Sequence, residues 1–258
     1  MNLLYVTTFD QKFYDICARD LLDSFLEYAE GTMLVCYEDD IQNMPVSKNI
    51  IYKNIENDPL LLTWLKDNED IIPKQYGGKS NIEFELGKIG MWNFRASRWF
   101  RKIVALNVAL EIYDNYDAII FIDADSRFQK HLSSRRVESI FHDSDIIYHL
   151  GMFRKKQPVD SASGVEAGLV GYRGVGGKAL LTRLIDKFSS GEFQQYPRWD
   201  DGYVLRMVIE DSTDLKCLDL VRNVAMPLIR VMEIGPFRQF IYHDKGKTTQ
   251  EIFNRGEV

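Results

Sequence analysis

Five consecutive apolar residues, Ala118 to Ile122, constrain the fold of this chain more than any other feature. A strand without polar alternation is typical of the centre of a parallel sheet, where helices cover both faces. Two carboxylates follow at once, Asp123 and Asp125, with one residue between them. Since side chains two positions apart on a strand point to the same side, both acids should face one cleft. The pattern predicts a buried central strand with an acidic pair at its carboxyl end.

The rest of the chain alternates short apolar runs with stretches of helical periodicity. Strands are predicted at residues 3–6, 32–36, 49–55, 146–149 and 168–172, and helices at 13–25, 96–113, around Val137, at 177–188 and at 201–210. Residues 73–88 lack periodicity and are predicted as a loop. Such alternation predicts an α/β fold with a mostly parallel central sheet and helices on both faces.

Polar clusters end two further strands, at residues 7–10 and 37–40. In open α/β sheets the ligand lies beyond the carboxyl ends of the strands. We therefore expect these two clusters to share one cleft with Asp123 and Asp125.

Composition limits the classes of partner. With 258 residues, 45% of them hydrophobic, the chain can bury one substantial core, so we predict a single domain over 1–258. A net charge of -6 argues against a nucleic-acid partner. We expect no transmembrane segment, because no apolar stretch approaches about 18 residues. The first residues do not have the pattern of a secretory signal, and the three cysteines suit reduced thiols, so a cytoplasmic location is expected.

The acidic pair has a chemical requirement of its own. Two carboxylates held this close repel each other unless a cation lies between them or one is protonated. Oxygen ligands favour Mg²⁺ or Mn²⁺. A solvated turn after the strand is the alternative reading.

The apolar strand ending in Asp-x-Asp resembles the metal-binding motif of GT-A fold glycosyltransferases, which have a Rossmann-like sheet. The resemblance implies that Asp123 and Asp125 hold the divalent cation that carries the donor's diphosphate. It places the donor nucleotide against Thr7, Thr8 and Phe9, with Glu38 as a further contact to base or ribose. It also divides the chain into a nucleotide-sugar-binding half, 1–125, and an acceptor-binding and metal-completing half, 126–258.

Basic residues precede the Asp-x-Asp strand, as they often do in GT-A enzymes. Arg95, Arg98 and Lys102 recur at the spacing of one helical face. We predict that Arg98 and Lys102 contact the diphosphate or the sugar.

The segment 242–247, Tyr-His-Asp-Lys-Gly-Lys, resembles the His-x-x-Gly-x-x-Lys segment of glycogenin-like transferases. That resemblance implies His243 as the third metal ligand and a lysine that neutralises phosphate. The lysines here are Lys245 and Lys247 rather than three residues after the glycine, so either could take this role.

Three acids are candidates for the catalytic carboxylate. Glu166 precedes a glycine-flanked strand, and Asp200 and Asp201 precede a helix. Either aspartate could instead cap that helix, because aspartate accepts hydrogen bonds from free backbone N–H groups. Asp201 is the first choice, and retaining and inverting mechanisms both stay open.

These features predict a metal-dependent glycosyltransferase that moves a sugar from a nucleoside-diphosphate donor, a UDP-sugar first and a GDP-sugar second, to a hydroxyl of a glycan or other acceptor. A haloacid-dehalogenase-type phosphatase also ends an apolar strand in Asp-x-Asp. Its motif normally lies near the N-terminus with threonine or valine where this chain has Arg127. A non-catalytic sugar-binding protein of the same fold is the other alternative.

Overall fold

A computed structural model of the protein describes residues 1–70, 96–150, 164–221 and 234–243. Its centre is a sheet in which seven described strands follow the order β3-β2-β1-β4-β7-β6-β8. These strands are β1 Leu3–Phe9, β2 Thr32–Tyr37, β3 Ile50–Asn54, β4 Ala118–Ile122, β6 Ile146–Tyr148, β7 Leu169–Arg173 and β8 Cys217–Asp219. A separate ribbon pairs β5 Ser126–Phe128 with β9 Ile241–His243.

The sheet is mostly parallel, as predicted. β1 pairs in parallel with β2 and with β4, and β2 pairs in parallel with β3. β7 alone among the seven described strands runs against its neighbours, since it is antiparallel to both β4 and β6. Because β2, β1 and β4 lie side by side and run the same way, their carboxyl ends share one edge of the sheet, where the site lies.

Helices cover both faces of this sheet. They are α1 Gln11–Phe13, α2 Arg19–Tyr28, α3 Pro59–Asp67, α4 Ala96–Glu111, α5 Ser134–Phe141, α6 Gly174–Ser189 and α7 Asp201–Asp211. A π-helical segment, Tyr14–Ala18, joins α1 to α2, and short 3₁₀ turns lie at Tyr113–Asn115 and Glu192–Gln195. β4 is fully buried, which agrees with its uninterrupted apolar sequence.

Two hydrophobic clusters separate the faces. One contains the buried side chains of α3, α4, α6 and α7, and the other those of α2 and α5. In the first, the Trp64 ring stacks on Phe100 with centroids 4.2 Å apart, and its Nε1 donates to the Phe188 carbonyl at 3.1 Å. The aromatic packing fixes α4, the helix that carries the basic residues, against α3 and α6.

The sequence-predicted elements are largely confirmed, with differences at their ends. The first strand is longer than predicted, since Thr7 to Phe9 lie inside β1 rather than in the loop after it. α6 begins three residues earlier, at Gly174, whose φ is +58°. α3 and the short strands β5, β8 and β9 were not predicted. The loop predicted at 73–88 lies outside the described residues.

Candidate metal and donor site

Three potential metal ligands meet where β4 ends. Asp123 and Asp125 follow β4, while His243 arrives from β9, which pairs with β5 so that His243 lies opposite Ser126. His243 Nε2 lies 2.9 Å from Asp125 Oδ1 and 3.9 Å from Asp123 Oδ2. One ligand atom from each of the three residues falls within 4.8 Å of the others. Two carboxylates and one imidazole form a donor set that suits Mn²⁺ or Mg²⁺.

The His243 ring is buried beside these acids. Burial alone would lower its pKa, but the hydrogen bond to Asp125 and the nearby carboxylates raise the pKa above its ordinary value. The ring therefore lies in a strongly negative field. A cation bound at this point would offset the same field.

Lys102 joins the acidic pair to the opposite wall of the cleft. Its Nζ lies 2.6 Å from Asp123 Oδ1 and 3.0 Å from Asp201 Oδ2. Burial alone would lower the pKa of this lysine, but the two carboxylates raise it above its usual value. Lys102 thus carries a fixed positive charge between the end of β4 and the start of α7.

The two aspartates at the start of α7 have different surroundings. Asp200 caps the helix, because its Oδ1 accepts from Tyr203 N at 3.1 Å, and its Oδ2 accepts from Arg198 Nε at 2.9 Å. Asp201 points to Lys102 instead. Burial raises the pKa of Asp201, and the Lys102 ammonium opposes that rise.

Gly168 forms the floor of the cleft. A Cβ at this position would lie 2.8 Å from Asp123 Oδ2, 3.1 Å from His243 Cε1 and 3.3 Å from Glu166 Oε1. The Glu166 carboxylate therefore lies next to Gly168, as do the metal-ligand candidates Asp123 and His243. The close approach explains why a residue without a side chain is needed immediately before β7.

The residues expected to hold the donor nucleotide occupy the adjoining edge of the sheet. Thr8 is half-buried, while Thr7 and Phe9 are buried on the other face, where the Phe9 ring stacks on Tyr14. The buried Thr7 Oγ1 has no hydrogen-bond partner among the described residues. Of the three, Thr8 is the one that is not fully buried.

Arg98 and Glu38 make contacts of a different kind. The Arg98 guanidinium is exposed and stands 4.6 Å from the Phe13 ring centroid. Glu38 forms an ion pair with Arg101, whose Nη1 also donates to the Ser97 carbonyl. Helical spacing singled out its neighbour Lys102 and not Arg101. Its pairing with Glu38 joins α4 to the end of β2.

The structure brings together Asp123, Asp125, His243, Lys102, Asp201, Glu166 and Gly168. The Trp99 ring centroid lies 5.8 Å from both the Arg98 and the Lys102 cation. Cys17, one of the three cysteines predicted to be reduced, is close enough for Asp125 and Asp123 to add to the effect of burial in raising its thiol pKa. Lys245, Lys247 and Arg95 lie outside the described residues.

The fold is similar to that of a solved transferase. A crystal structure of mouse xyloside xylosyltransferase 1, in its apo form, matches with a TM-score of 0.53 and 12% sequence identity, over 96% of this chain and 99% of that one. At this identity the likeness shows the fold alone, and it agrees with the predicted α/β fold with a mostly parallel central sheet. No family model and no curated protein matches the sequence. Across the described ranges, no helix has the length and apolar character needed to cross a membrane.

Proposed function

We propose that the protein is a metal-dependent glycosyltransferase, which moves a sugar from a nucleoside-diphosphate sugar to a hydroxyl of a glycan or other acceptor. The observation that carries the proposal is the convergence of Asp123, Asp125 and His243 at the carboxyl end of the central strand, with Lys102 beside them. The fold likeness to a xylosyltransferase supports this reading over the phosphatase alternative. In this proposal residues 1–125 bind the donor, and residues 126–258 complete the metal site and bind the acceptor.

Asp123, Asp125 and His243 would hold Mn²⁺ or Mg²⁺, which when bound supplies Lewis-acid stabilisation of the diphosphate leaving group. Lys102 adds a fixed cation on the α4 side of the cleft. As the bond between the anomeric carbon and the phosphate oxygen breaks, negative charge grows on that oxygen. A cation already in place stabilises this charge without reorganisation.

Asp201 is the proposed contact to the reacting sugar and, in an inverting mechanism, the proton acceptor for the acceptor hydroxyl. Its burial raises its pKa, which brings a carboxylate closer to the range useful for general base catalysis. Asp200 is the weaker choice because both of its oxygens are already engaged, by the α7 backbone and by Arg198. Glu166 remains the alternative base, since it faces Asp123 across Gly168.

The nucleotide contacts proposed on the donor side are Thr8 and Glu38, with Thr7 and Phe9 supporting the strand beneath them. Glu38 is held by Arg101 at the end of β2, which orients its carboxylate for a ribose hydroxyl. A UDP-sugar is the first donor to test and a GDP-sugar the second. Arg98, Lys245 and Lys247 are proposed as further phosphate contacts.

Calorimetry tests the proposal directly. Mn²⁺ is titrated into the protein with UDP present and then with GDP, using wild type and Asp125→Ala. Metal-dependent binding of one nucleotide, abolished by the substitution, is expected and identifies the donor base. If neither nucleotide binds in a metal-dependent way, the metal-centred transferase reading is wrong.

A further inference from the structure

A second group of charges lies on the ribbon of β5 and β9, outside the site described above. Residues 126–136 contain three arginines, one lysine and one histidine but no acid, in a chain whose net charge is -6. Arg127 stands 4.8 Å from the Tyr242 ring centroid, and Arg136 stands 5.9 Å from that of Phe240. Both arginines thus lie along β9 and the turn before it.

Several exposed or half-exposed cations elsewhere on the surface are paired with an acid, as in Lys178–Asp114, Arg183–Asp214, Lys187–Glu192, Arg206–Glu210 and Lys216–Asp143. Within the described ranges, no carboxylate pairs with Arg127, Lys130, Arg136 or Arg238. We call these four residues the basic ribbon. Their charge is available to a ligand, because nothing in the described part of the protein neutralises it.

Two members of the basic ribbon border a cavity of about 360 Å³, a size typical of small-ligand sites. Lys130 and Arg238 line it together with Gln129, Ile241, Tyr242 and His243. Its wall is held by the backbone: Gln129 Nε2 donates to the Arg238 carbonyl at 3.1 Å, and Gln129 N donates to the Phe240 carbonyl at 2.8 Å. Arg238 is thereby fixed at the cavity edge.

The lining favours one ligand chemistry. An ammonium, a guanidinium and amide groups can all donate to an oxyanion, and a guanidinium can bind a phosphate or carboxylate through two parallel hydrogen bonds. Tyr242 also lines the cavity, and its half-buried aromatic ring suits contact with a sugar ring. His243 belongs both to this cavity and to the candidate metal site, so the two are adjacent.

We propose that this cavity binds an anionic group, a phosphate or a carboxylate, carried by the acceptor sugar. The role as an acceptor site rests on the proposed glycosyltransferase function, whereas the binding of an anionic sugar does not. The transferase would thus prefer a phosphorylated or uronic acceptor over a neutral one. A concave cavity of this size suits a single sugar better than a flat membrane surface does.

Binding measurements with glucose 6-phosphate, glucuronate and uncharged glucose test the proposal, with EDTA present and no nucleotide. Both anionic sugars are expected to bind and glucose to bind much more weakly. Lys130→Gln combined with Arg238→Gln should weaken anionic-sugar binding by about tenfold or more, since hydrogen bonds to charged groups contribute this much. The matched control, Lys178→Gln with Arg183→Gln, removes the same charge from paired surface positions and should change nothing.

Three results would overturn the proposal. Glucose could bind as tightly as glucose 6-phosphate, or the control pair could lose as much affinity as the cavity pair. Alternatively, wild type could bind vesicles of phosphatidylserine and phosphatidylcholine through Lys130 and Arg238 while no anionic sugar binds. Thermal unfolding of both double variants shows whether the fold is kept. Failure of the transferase proposal can be told apart from failure of the anionic-sugar site. In that case no metal-dependent nucleotide binding is seen, while glucose 6-phosphate still binds to wild type and to Asp125→Ala.

Discussion

Replacing Gly168 with alanine is the sharpest perturbation that the site offers. The added Cβ would lie 2.8 Å from Asp123 Oδ2, about 0.6 Å short of the 3.4 Å at which ordinary contact begins. The backbone itself tolerates alanine, since Gly168 is absent from the described glycines with positive φ. The Asp123 carboxylate must therefore move, and the His243 ring, 3.1 Å from the same point, must give way as well.

Metal sites tolerate ligand displacements of only about 0.2 Å. We expect Gly168→Ala to weaken Mn²⁺ binding by about 10- to 100-fold, the range found when groups supporting metal ligands are changed. Calorimetry with Mn²⁺ and nucleotide measures the affinity, and thermal unfolding in EDTA measures the metal-free stability, which should fall only slightly.

Gly171→Ala, inside β7 and three residues farther along the chain, is the matched control. Its Cβ would lie 2.6 Å from the buried carbons Ile147 Cγ1 and Phe141 Cζ. It should destabilise the fold by about 1–3 kcal/mol through overpacking and leave the metal affinity of the folded protein unchanged. Equal Mn²⁺ affinity in Gly168→Ala and wild type would refute the assignment of this cleft as the metal site.

Three further predictions follow from single contacts. Lys102→Met leaves Asp123 and Asp201 without their shared cation, so the free energy of unfolding of the metal-free protein should fall by about 3–5 kcal/mol. Mn²⁺ should then raise the melting temperature more in the variant than in wild type. An equal rise in both proteins would show that the ammonium and the metal do not interact with the same carboxylates. Asp200→Ala should lose about 1 kcal/mol of stability in urea titration, because the α7 cap is lost. Asp200→Asn should keep the cap, and it should also keep most of the turnover if Asp201 is the reacting acid. Burial raises the pKa of the Cys36 thiol to about 12, so its labelling by a thiol reagent should be negligible near neutral pH and accelerate as the pH rises toward that value. The double variant Cys17→Ser/Cys217→Ser keeps Cys36 as its one cysteine. Rapid labelling of this folded variant at neutral pH would contradict the burial of Cys36.

The central strand and its acids were predictable because they depend on local sequence. An apolar run of five residues requires cover on both faces, and a polar pair at its end marks the ligand edge of a parallel sheet. Helix α4 was predictable for the same reason, since its apolar positions recur at helical spacing.

The contacts that complete the site depend on tertiary structure and could not be predicted from the sequence. The bridge from Lys102 to Asp201 joins residues 99 positions apart in the numbering, on two different helices. β5 and β9 have three residues each, too few for a periodic signal, yet their pairing places His243 beside Asp125. His243 was predicted only through its resemblance to a known segment, and its own neighbours in sequence gave no physical reason for a ligand.

The division of work between Asp200 and Asp201 shows the same limit. An acidic pair before a helix indicates a cap, but sequence alone does not say which residue caps. The structure assigns the cap to Asp200 and turns Asp201 toward Lys102. Side-chain direction at a helix start depends on the chain entering the helix, and no pattern in the sequence records it.

Anomalous diffraction from a crystal grown with Mn²⁺ and UDP tests the central claim most directly. The account predicts one manganese peak bonded to Asp123, Asp125 and His243, with the diphosphate of the nucleotide on its open side, and no peak in Asp125→Ala. A nucleotide bound without manganese at these three residues, or manganese bound elsewhere, would contradict it.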